Sequence, residues 1–272
     1  MFADLCLSQR LERAEAQANI DFVEARAATF PHSDAQWHEI GGAFAMFDGV
    51  RSPLTQSFCL GIFEPVTNGS LRELEAFFTK RQAPVFHEVS PLVGVAAASL
   101  LSARGYVPVE FTNVLFRQIS PGQTFAELRN REIQVRRIED DEYQLWAQVS
   151  ARGWSEFEGL GEFMSDLARV VASRKNGFSF LAELNGEPIA AGALTIHNGV
   201  ALLAGASTVP EGRKRGAQLA LLDARLQYAV AHDCDLAMMC ALPGSASQRN
   251  AERHGFRVAY TRIKWELVAR ES

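Results

Sequence analysis

Leu11, Ala14, Ala18, Phe22 and Ala25 recur at spacings of three and four residues. That period predicts a helix over 8–28 with one apolar face, ended at Pro31. Apolar, strand-like runs follow at 37–47 and 56–63, parted by the turn-forming Asp48-Gly49-Val50-Arg51-Ser52-Pro53. Helical spacing returns after Asn68-Gly69-Ser70, where Leu71, Leu74, Phe77 and Phe78 share a face. A strand over 84–89 comes next. A helix through Val93, Ala97, Leu100 and Leu101 is closed by Gly105, and a strand over 109–117 completes the first half.

Ser120-Pro121-Gly122 and the charge-rich stretch behind it interrupt the pattern and predict a junction near 120–131. The second half opens on a short strand at 133–138 and a helix at 141–151. An aromatic, acidic loop at 153–162 leads into a helix at 163–173. Runs at 178–184, 187–197 and 199–209 read as a three-strand meander. Its turns are Asn185-Gly186, a strong hairpin signal, and Asn198-Gly199. A helix at 217–231 carries Leu219, Leu222, Leu226 and Ala229 on one face. An apolar strand at 236–242, a helix at 248–254 and a strand at 258–267 finish the chain.

The two halves look alike. Residues 84–117 read strand, Ser-Pro, helix, Ala-Arg-Gly-Tyr, strand; residues 236–267 read strand, Leu-Pro, helix, Arg-His-Gly-Phe, strand. An amphipathic helix precedes each. A likeness on this scale points to duplication of a whole domain rather than a solenoid; two generic α/β units are the other reading. The 272 residues suit two domains of about 130 each, and an apolar share of 47% supplies two cores.

Charge and cysteines narrow the function classes. The net charge of −5 weighs against nucleic acid and anionic membrane as partners. No apolar run approaches the roughly 18 residues of a membrane span. The opening Met-Phe-Ala-Asp-Leu-Cys soon turns charged and does not read as a secretory signal. Cys6, Cys59, Cys234 and Cys240 form no C-x-x-C pair, so a reducing, cytoplasmic location is expected. The six histidines lack metal spacing, and no metal is expected.

The chemistry concentrates at Ser207-Thr208-Val209-Pro210-Glu211-Gly212-Arg213-Lys214-Arg215-Gly216-Ala217-Gln218. A strand runs into a basic, glycine-containing turn, and the turn runs into a helix N-terminus. Free N–H groups of a first helical turn, with the helix dipole behind them, attract an anion. Gly216 lets backbone approach a phosphate without a Cβ in the way. Three adjacent cations add charge complementarity. The Walker A and dinucleotide-binding fingerprints are both absent. A strand–helix connection with a solvated basic face is the plain alternative.

With these residues the chain resembles the GNAT acetyltransferase superfamily. Arg213-Lys214-Arg215-Gly216-Ala217 matches the first five positions of the family's [RQ]-x-x-G-x-[GA] signature, preceded by Pro210; Gln218 departs at the sixth. A short helix ending in Gly255-Phe256 before the last strand is a second landmark. The resemblance covers about 133–267. It implies that acetyl-CoA is the acyl donor, its pyrophosphate held by Arg213, Lys214, Arg215, Gly216, Ala217 and Gln218. It also implies that Thr208 and Val209 pair with the pantetheine arm, that one of their N–H groups stabilises the oxyanion, and that a neutral amine attacks the thioester directly. Asn250, on the short helix, is a further candidate for the pantetheine.

The acid and base do not carry over as cleanly. Ala251 stands where the family often has a tyrosine, so Tyr260 on the last strand is the candidate acid. The loop Gly153-Trp154-Ser155-Glu156-Phe157-Glu158 borders the acceptor side by the same resemblance. Trp154 is a candidate apolar wall, Glu156 a proton relay and Glu158 a ligand for a cationic amine. Cys240 reads as core packing. In the first half, Phe63-Glu64-Pro65-Val66-Thr67-Asn68-Gly69-Ser70 occupies the equivalent place without a cation cluster.

The expected architecture is α/β (α+β), with tandem GNAT-like mixed sheets flanked by helices. Residues 1–125 form a degenerate repeat and 126–272 the acyl-CoA-binding domain. The expected activity is acetyl transfer from acetyl-CoA to a primary amine on a small molecule or peptide. Open alternatives are a non-amine acceptor, a CoA-binding sensor or scaffold without turnover, and a partner-binding protein. The sequence sets neither the acceptor nor the oligomeric state.

Overall fold

The structure is a computed structural model. It describes residues 3–123, 125, 130–155 and 161–268. In chain order the elements begin with α1 (Leu5–Thr29), β1 (Gln36–Ile40), β2 (Ala43–Phe47), β3 (Gln56–Phe58), α2 (Asn68–Thr79), β4 (Phe86–Val89), α3 (Val95–Arg104) and β5 (Tyr106–Gln118). They continue with β6 (Ile133–Arg137), α4 (Tyr143–Gly153), α5 (Gly161–Ser173), β7 (Gly177–Leu184), β8 (Glu187–His197) and β9 (Val200–Thr208). The last are α6 (Ala217–Ala231), β10 (Leu236–Ala241), α7 (Ala246–Arg253) and β11 (Arg257–Leu267). Among the described residues no helix is long and apolar enough to cross a membrane.

Two compact units result, and no single cut in the sequence separates them. One comprises Met1–Phe116 with Cys240–Ser272, the other Arg117–Met239. α7 and β11, late in the chain, fall with the N-terminal unit. The cause is strand pairing. β11 runs antiparallel to β4, with Ile263 opposite Val89, and to β5, from Arg257 opposite Phe116 to Leu267 opposite Tyr106. Alternation along a segment declares a strand, but it does not name the strand's neighbours.

The N-terminal unit has strand order β1-β2-β3-β4-β11-β5, mixed because β3 and β4 are parallel. β2 shows why two helices pack here. All five of its residues are buried. Ala43, Ala45 and Phe47 join Leu71, Leu74 and Phe78 of α2, while Phe44 and Met46 join Ala16, Ile20 and Val23 of α1. A period of two thus divides one strand between two cores. The run at 37–47 is a hairpin, not one strand: Ile40 faces Ala43 across Gly41-Gly42, both at positive φ (55° and 70°). β3 ends at Phe58, short of residue 63, because Cys59 and Gly61 also take positive φ.

A buried polar chain crosses this unit. Ser57 Oγ lies 2.6 Å from His87 Nδ1, His87 Nε2 lies 2.9 Å from the Tyr106 hydroxyl, and that hydroxyl donates to Glu75 at 3.1 Å. With Glu75 as terminal acceptor, each group has one donor and one acceptor only if His87 is neutral. Burial, the largest influence, lowers the His87 pKa from 6.5 to about 3. The folded state therefore binds fewer protons, so this contribution is full above the unfolded value and is lost as pH falls toward about 3. Between those limits the loss is expected to be roughly 1.4 kcal/mol per pH unit. Denaturant unfolding of the parent and His87→Gln across pH 4–7 checks this: the stability difference should shrink as pH falls, and a constant difference contradicts it.

The second unit is a mixed sheet in the order β10-β9-β8-β7-β6. The meander β7-β8-β9 is antiparallel, and β10 joins β9 in parallel. α6 packs on β6 to β9, burying Ala217, Leu221, Leu222, Leu226 and Ala229; α4 packs on β8 and β9. The α/β class and mixed sheets agree with the sequence expectation.

Candidate functional site

β9 stays paired with β8 to its end, where the Val209 N–H donates to the Ile189 carbonyl at 3.0 Å. On its other side the pairing stops early. Val200, Ala201 and Leu202 face Leu236, Ala237 and Met238 of β10, and the register ends there. Among the described residues, no strand pairs with the outer backbone edge of β9 from Leu203 to Thr208. A bulge lies inside this stretch, because Ala191 faces Ser207 while Ala193 faces Ala204. Gly205 and Ala206 therefore oppose Gly192 alone, with Gly205 at φ 61°.

The register also sorts the two amides proposed for the oxyanion. Val209 uses its N–H on Ile189. Thr208, opposite Ala190, is the neighbouring non-hydrogen-bonded position, so its N–H turns away from β8 into the gap. Of the two, Val209 has its N–H engaged, and the Thr208 N–H meets no acceptor among the described residues.

Past Val209 the chain makes a single helical turn at Pro210–Gly212, then Lys214 and Gly216 adopt left-handed φ of 61° and 99°. Gly216 is the N-cap of α6 and provides no side-chain cap. Among the described residues, the N–H groups of Lys214, Arg215, Gly216, Ala217 and Gln218 donate to no acceptor. Left-handed residues within such a run turn successive amides toward a common concavity, a nest for an anion. Arg213, Lys214 and Arg215 are exposed around it. The acid of this loop, Glu211, is paired with Arg152 at the end of α4. Asn130 Nδ2 donates to the Arg215 carbonyl at 3.3 Å, and Gln218 Nε2 donates to Thr208 Oγ1 at 2.7 Å. The Gln218 side chain thus braces the strand end while its backbone N–H remains in the nest.

α4 presses closely on this strand end. The Ser207 hydroxyl donates to the Ser150 carbonyl at 3.1 Å. A Cβ on Gly153 would stand 2.5 Å from Ser207 Cβ and 3.0 Å from the Thr208 nitrogen. Gly153→Ala is expected to destabilise by about 1–3 kcal/mol through overpacking. It should also displace the Thr208 amide, so that any acetyl-CoA affinity falls with it; calorimetry and thermal unfolding together check this. Ser150 escaped sequence reading, and the close approach of Gly153 to Ser207 has no local signal, because Gly153 looks like an ordinary helix-end glycine.

The other candidates lie elsewhere or beyond the description. Trp154 caps α4, half-buried, its N–H on the Ser150 carbonyl at 3.1 Å. Glu156 and Glu158 lie outside the described residues. Asn250, on α7, accepts from His254 Nδ1 through its carbonyl at 2.6 Å. Cys240 is partly buried, its thiol directed at Glu15 and its pKa raised, chiefly by burial.

Tyr260 lies on β11, within the N-terminal unit. Its hydroxyl donates to Glu12 Oε1 at 2.8 Å in the interior of the N-terminal unit, where Arg262 faces Glu12, Glu15 and Glu88. Burial and then Glu12 hold its pKa well above the ordinary value. A phenol engaged in this way serves the carboxylate cluster and is a poor proton source for a thiolate. Among the described residues no group of His, Cys, Asp or Glu is arranged to hold a metal.

Residues 122–247 match the family described as acetyltransferase (GNAT) domain. Among solved structures, a GCN5-related N-acetyltransferase from Kribbella flavida superposes with TM-score 0.66 at 17% identity, over 91% of this chain and 94% of that one. Another GCN5-related N-acetyltransferase, from Sphaerobacter thermophilus, gives 0.59 at 15% over 84% and 77%. A tandem GNAT protein from the clavulanic acid biosynthesis pathway gives 0.59 at 16% over 85% and 80%. At these identities the likeness carries the fold. Among curated proteins none matches by sequence.

Proposed function

From a chain that carries a GNAT acetyltransferase domain over residues 122–247, and is thereby an acyltransferase of the acetyl-CoA-dependent kind, we propose that the β9–α6 junction binds acetyl-CoA and that its acetyl group passes to a primary amine. The observation that carries the proposal is the uninterrupted run of N–H groups from Lys214 to Gln218 that meet no acceptor among the described residues, ringed by exposed cations at the end of β9. Those amides and Arg213, Lys214 and Arg215 take the pyrophosphate. The pantetheine arm pairs with the outer edge of β9 at Thr208 beside Val209. The thioester lies where β9 and β10 part.

The acceptor attacks as a neutral amine. Its lone pair forms the C–N bond, the carbonyl π pair moves to oxygen, and the Thr208 N–H faces that oxyanion. Collapse restores the carbonyl and breaks the C–S bond; the nitrogen loses its proton to a base and the thiolate leaves. Trp154 walls the acceptor side, with Glu156 relaying the amine proton and Glu158 attracting the cationic amine. The acceptor class is a small molecule or peptide amine, and the cytoplasm is the proposed location.

We further propose that residues 1–125 are a worn copy of the same fold, which 126–272 retains in working form. Support comes from the matching helix starts. α2 is closed by its own capping box: Thr67 Oγ1 accepts from the Ser70 N–H at 3.0 Å, and Ser70 Oγ accepts from the Thr67 N–H at 3.1 Å. α6 begins on a glycine that offers no side-chain cap. The first start is satisfied by its own side chains, and the second waits for an anion.

A sensor without turnover is the second reading, favoured by Ala251 and by the engagement of Tyr260. Thiol release from acetyl-CoA, measured against a panel of primary amines, separates the two. Amine-dependent release at one thiol per acetyl group is expected. Binding without release from any amine would leave the sensor.

A further inference from the structure

The interior beneath β9 holds a cation that the phosphate loop and the acceptor side leave unused. Arg225 sits in the middle of α6 and is 3% exposed. Its Nε donates to the Leu221 carbonyl at 3.0 Å. Its Nη1 donates to the carbonyls of Ala193 on β8, at 3.0 Å, and Ala204 on β9, at 3.4 Å. Burial lowers its pKa, to about 10, and among the described residues no carboxylate offsets this. A buried cation satisfied only by backbone dipoles is costly, so its placement needs a reason.

The register supplies one. Ala193 and Ala204 are the last pair on their side of the bulge. Where two residues oppose one, the ladder loses a hydrogen bond and a carbonyl is left without its strand partner. Arg225 bridges the two strands at that point. Gly192, the single residue opposite the bulge, leaves room for it, since a Cβ there would stand 3.3 Å from the guanidinium carbon. The Trp146 indole N–H donates to the Gly192 carbonyl at 3.2 Å and completes the set. One guanidinium nitrogen, Nη1, is shared between acceptors on the two strands while Nε of the same rigid plane is anchored on α6; lysine, with a single nitrogen on a flexible stem, cannot hold all three contacts.

We infer that Arg225 is a positioning residue that fixes the Gly205–Ala206 bulge and thereby sets the direction of the β9 edge, through Thr208, that receives the acyl-pantetheine arm. The inference rests on the acetyl-CoA reading of the same strand. It separates the two ends of the donor: the nest at Lys214–Gln218 holds the phosphates and Arg225 governs the acyl end.

The test compares acetyl-CoA with the adenosine bisphosphate fragment of CoA by calorimetry, in the parent and in Arg225→Lys. Affinity for acetyl-CoA is expected to fall about tenfold or more, the loss of one charge-assisted hydrogen bond, while affinity for the fragment stays within about twofold. Equal loss for both ligands, or loss for neither, overturns the inference. Amide hydrogen exchange gives an independent readout: Gly205 to Thr208 should exchange faster in the variant while β7 keeps its protection. Unchanged exchange at Gly205 to Thr208 also overturns it. If the parent binds neither ligand, the acetyl-CoA reading fails and hydrogen exchange still decides the role of Arg225 in the bulge. Should Arg225→Lys not fold, Gly192→Ala presses on the guanidinium from the strand side and predicts the same split between the ligands.

Discussion

Arg262→Met is expected to cost the protein about 3–5 kcal/mol, the usual penalty for stranding a buried charge by removing its partner. Arg262 is 2% exposed on β11. Its Nε lies 3.0 Å from Glu88, its Nη1 lies 2.7 Å from Glu15, and the same nitrogen lies 3.4 Å from Glu12. Methionine fills a similar volume, so the loss is mainly electrostatic. Without the guanidinium, the buried carboxylates must either stay charged in a poor dielectric or take up protons.

The second outcome gives the prediction a pH signature. Glu12 is already raised from 4.5 to about 7, by burial first and against the pull of Arg262. Burial likewise raises Glu88. A carboxyl whose folded pKa is raised gives stability that is full below its unfolded value and is lost as pH rises through the folded value. Deleting Arg262 extends that rise, so the deficit of Arg262→Met should be smallest near pH 4–5 and grow toward pH 8. Denaturant unfolding at the two ends checks this. A deficit of the same size at both would mean lost packing, not stranded charge. Glu12→Gln, which removes the titrating group and keeps an acceptor for Tyr260, should cost less and flatten the profile.

This cluster marks where the sequence ceased to be legible. The stripe Leu11, Ala14, Ala18, Phe22 and Ala25 correctly forecast α1 and its buried face. The same helix also buries Glu12, Asp21 and Arg26. Periodicity of apolar residues cannot announce these, because their partners arrive from distant strands. Tyr260 is a case in point: its partner Glu12 lies 248 positions away. Local signals fared better. Asn185-Gly186 gives the β7–β8 hairpin, with Leu184 facing Glu187. The start of α6 falls at Ala217, as the glycine and the apolar run behind it required. The Gly41-Gly42 turn was present in the sequence but hidden inside a long apolar run. The bulge in β9 has no local signal beyond Gly205, because a bulge is a property of two strands together.

The second large effect concerns the basic turn. Arg213→Glu with Arg215→Glu is expected to weaken acetyl-CoA binding at least about 100-fold, or roughly 3 kcal/mol. Two charge-assisted contacts to phosphate are lost, and two carboxylates are placed against the anion. The nest amides remain, so the loss measures the cationic ring and not the fold. All three basic residues of the turn are exposed, and exposed substitutions shift stability by only about 0.5 kcal/mol. Thermal unfolding of the double variant should therefore stay near the parent. If the basic face is merely solvated, neither affinity nor stability will move.

The central claim, that the β9–α6 junction is an acyl-CoA site and the capped α2 start is not, is tested most directly by calorimetric titration of acetyl-CoA into the whole protein, with free adenosine as control. The account predicts one site per chain with a Kd of about micromolar order and no comparable heat from adenosine. Two sites per chain would contradict the reading of the N-terminal half, and no binding at all would contradict the acetyl-CoA site itself.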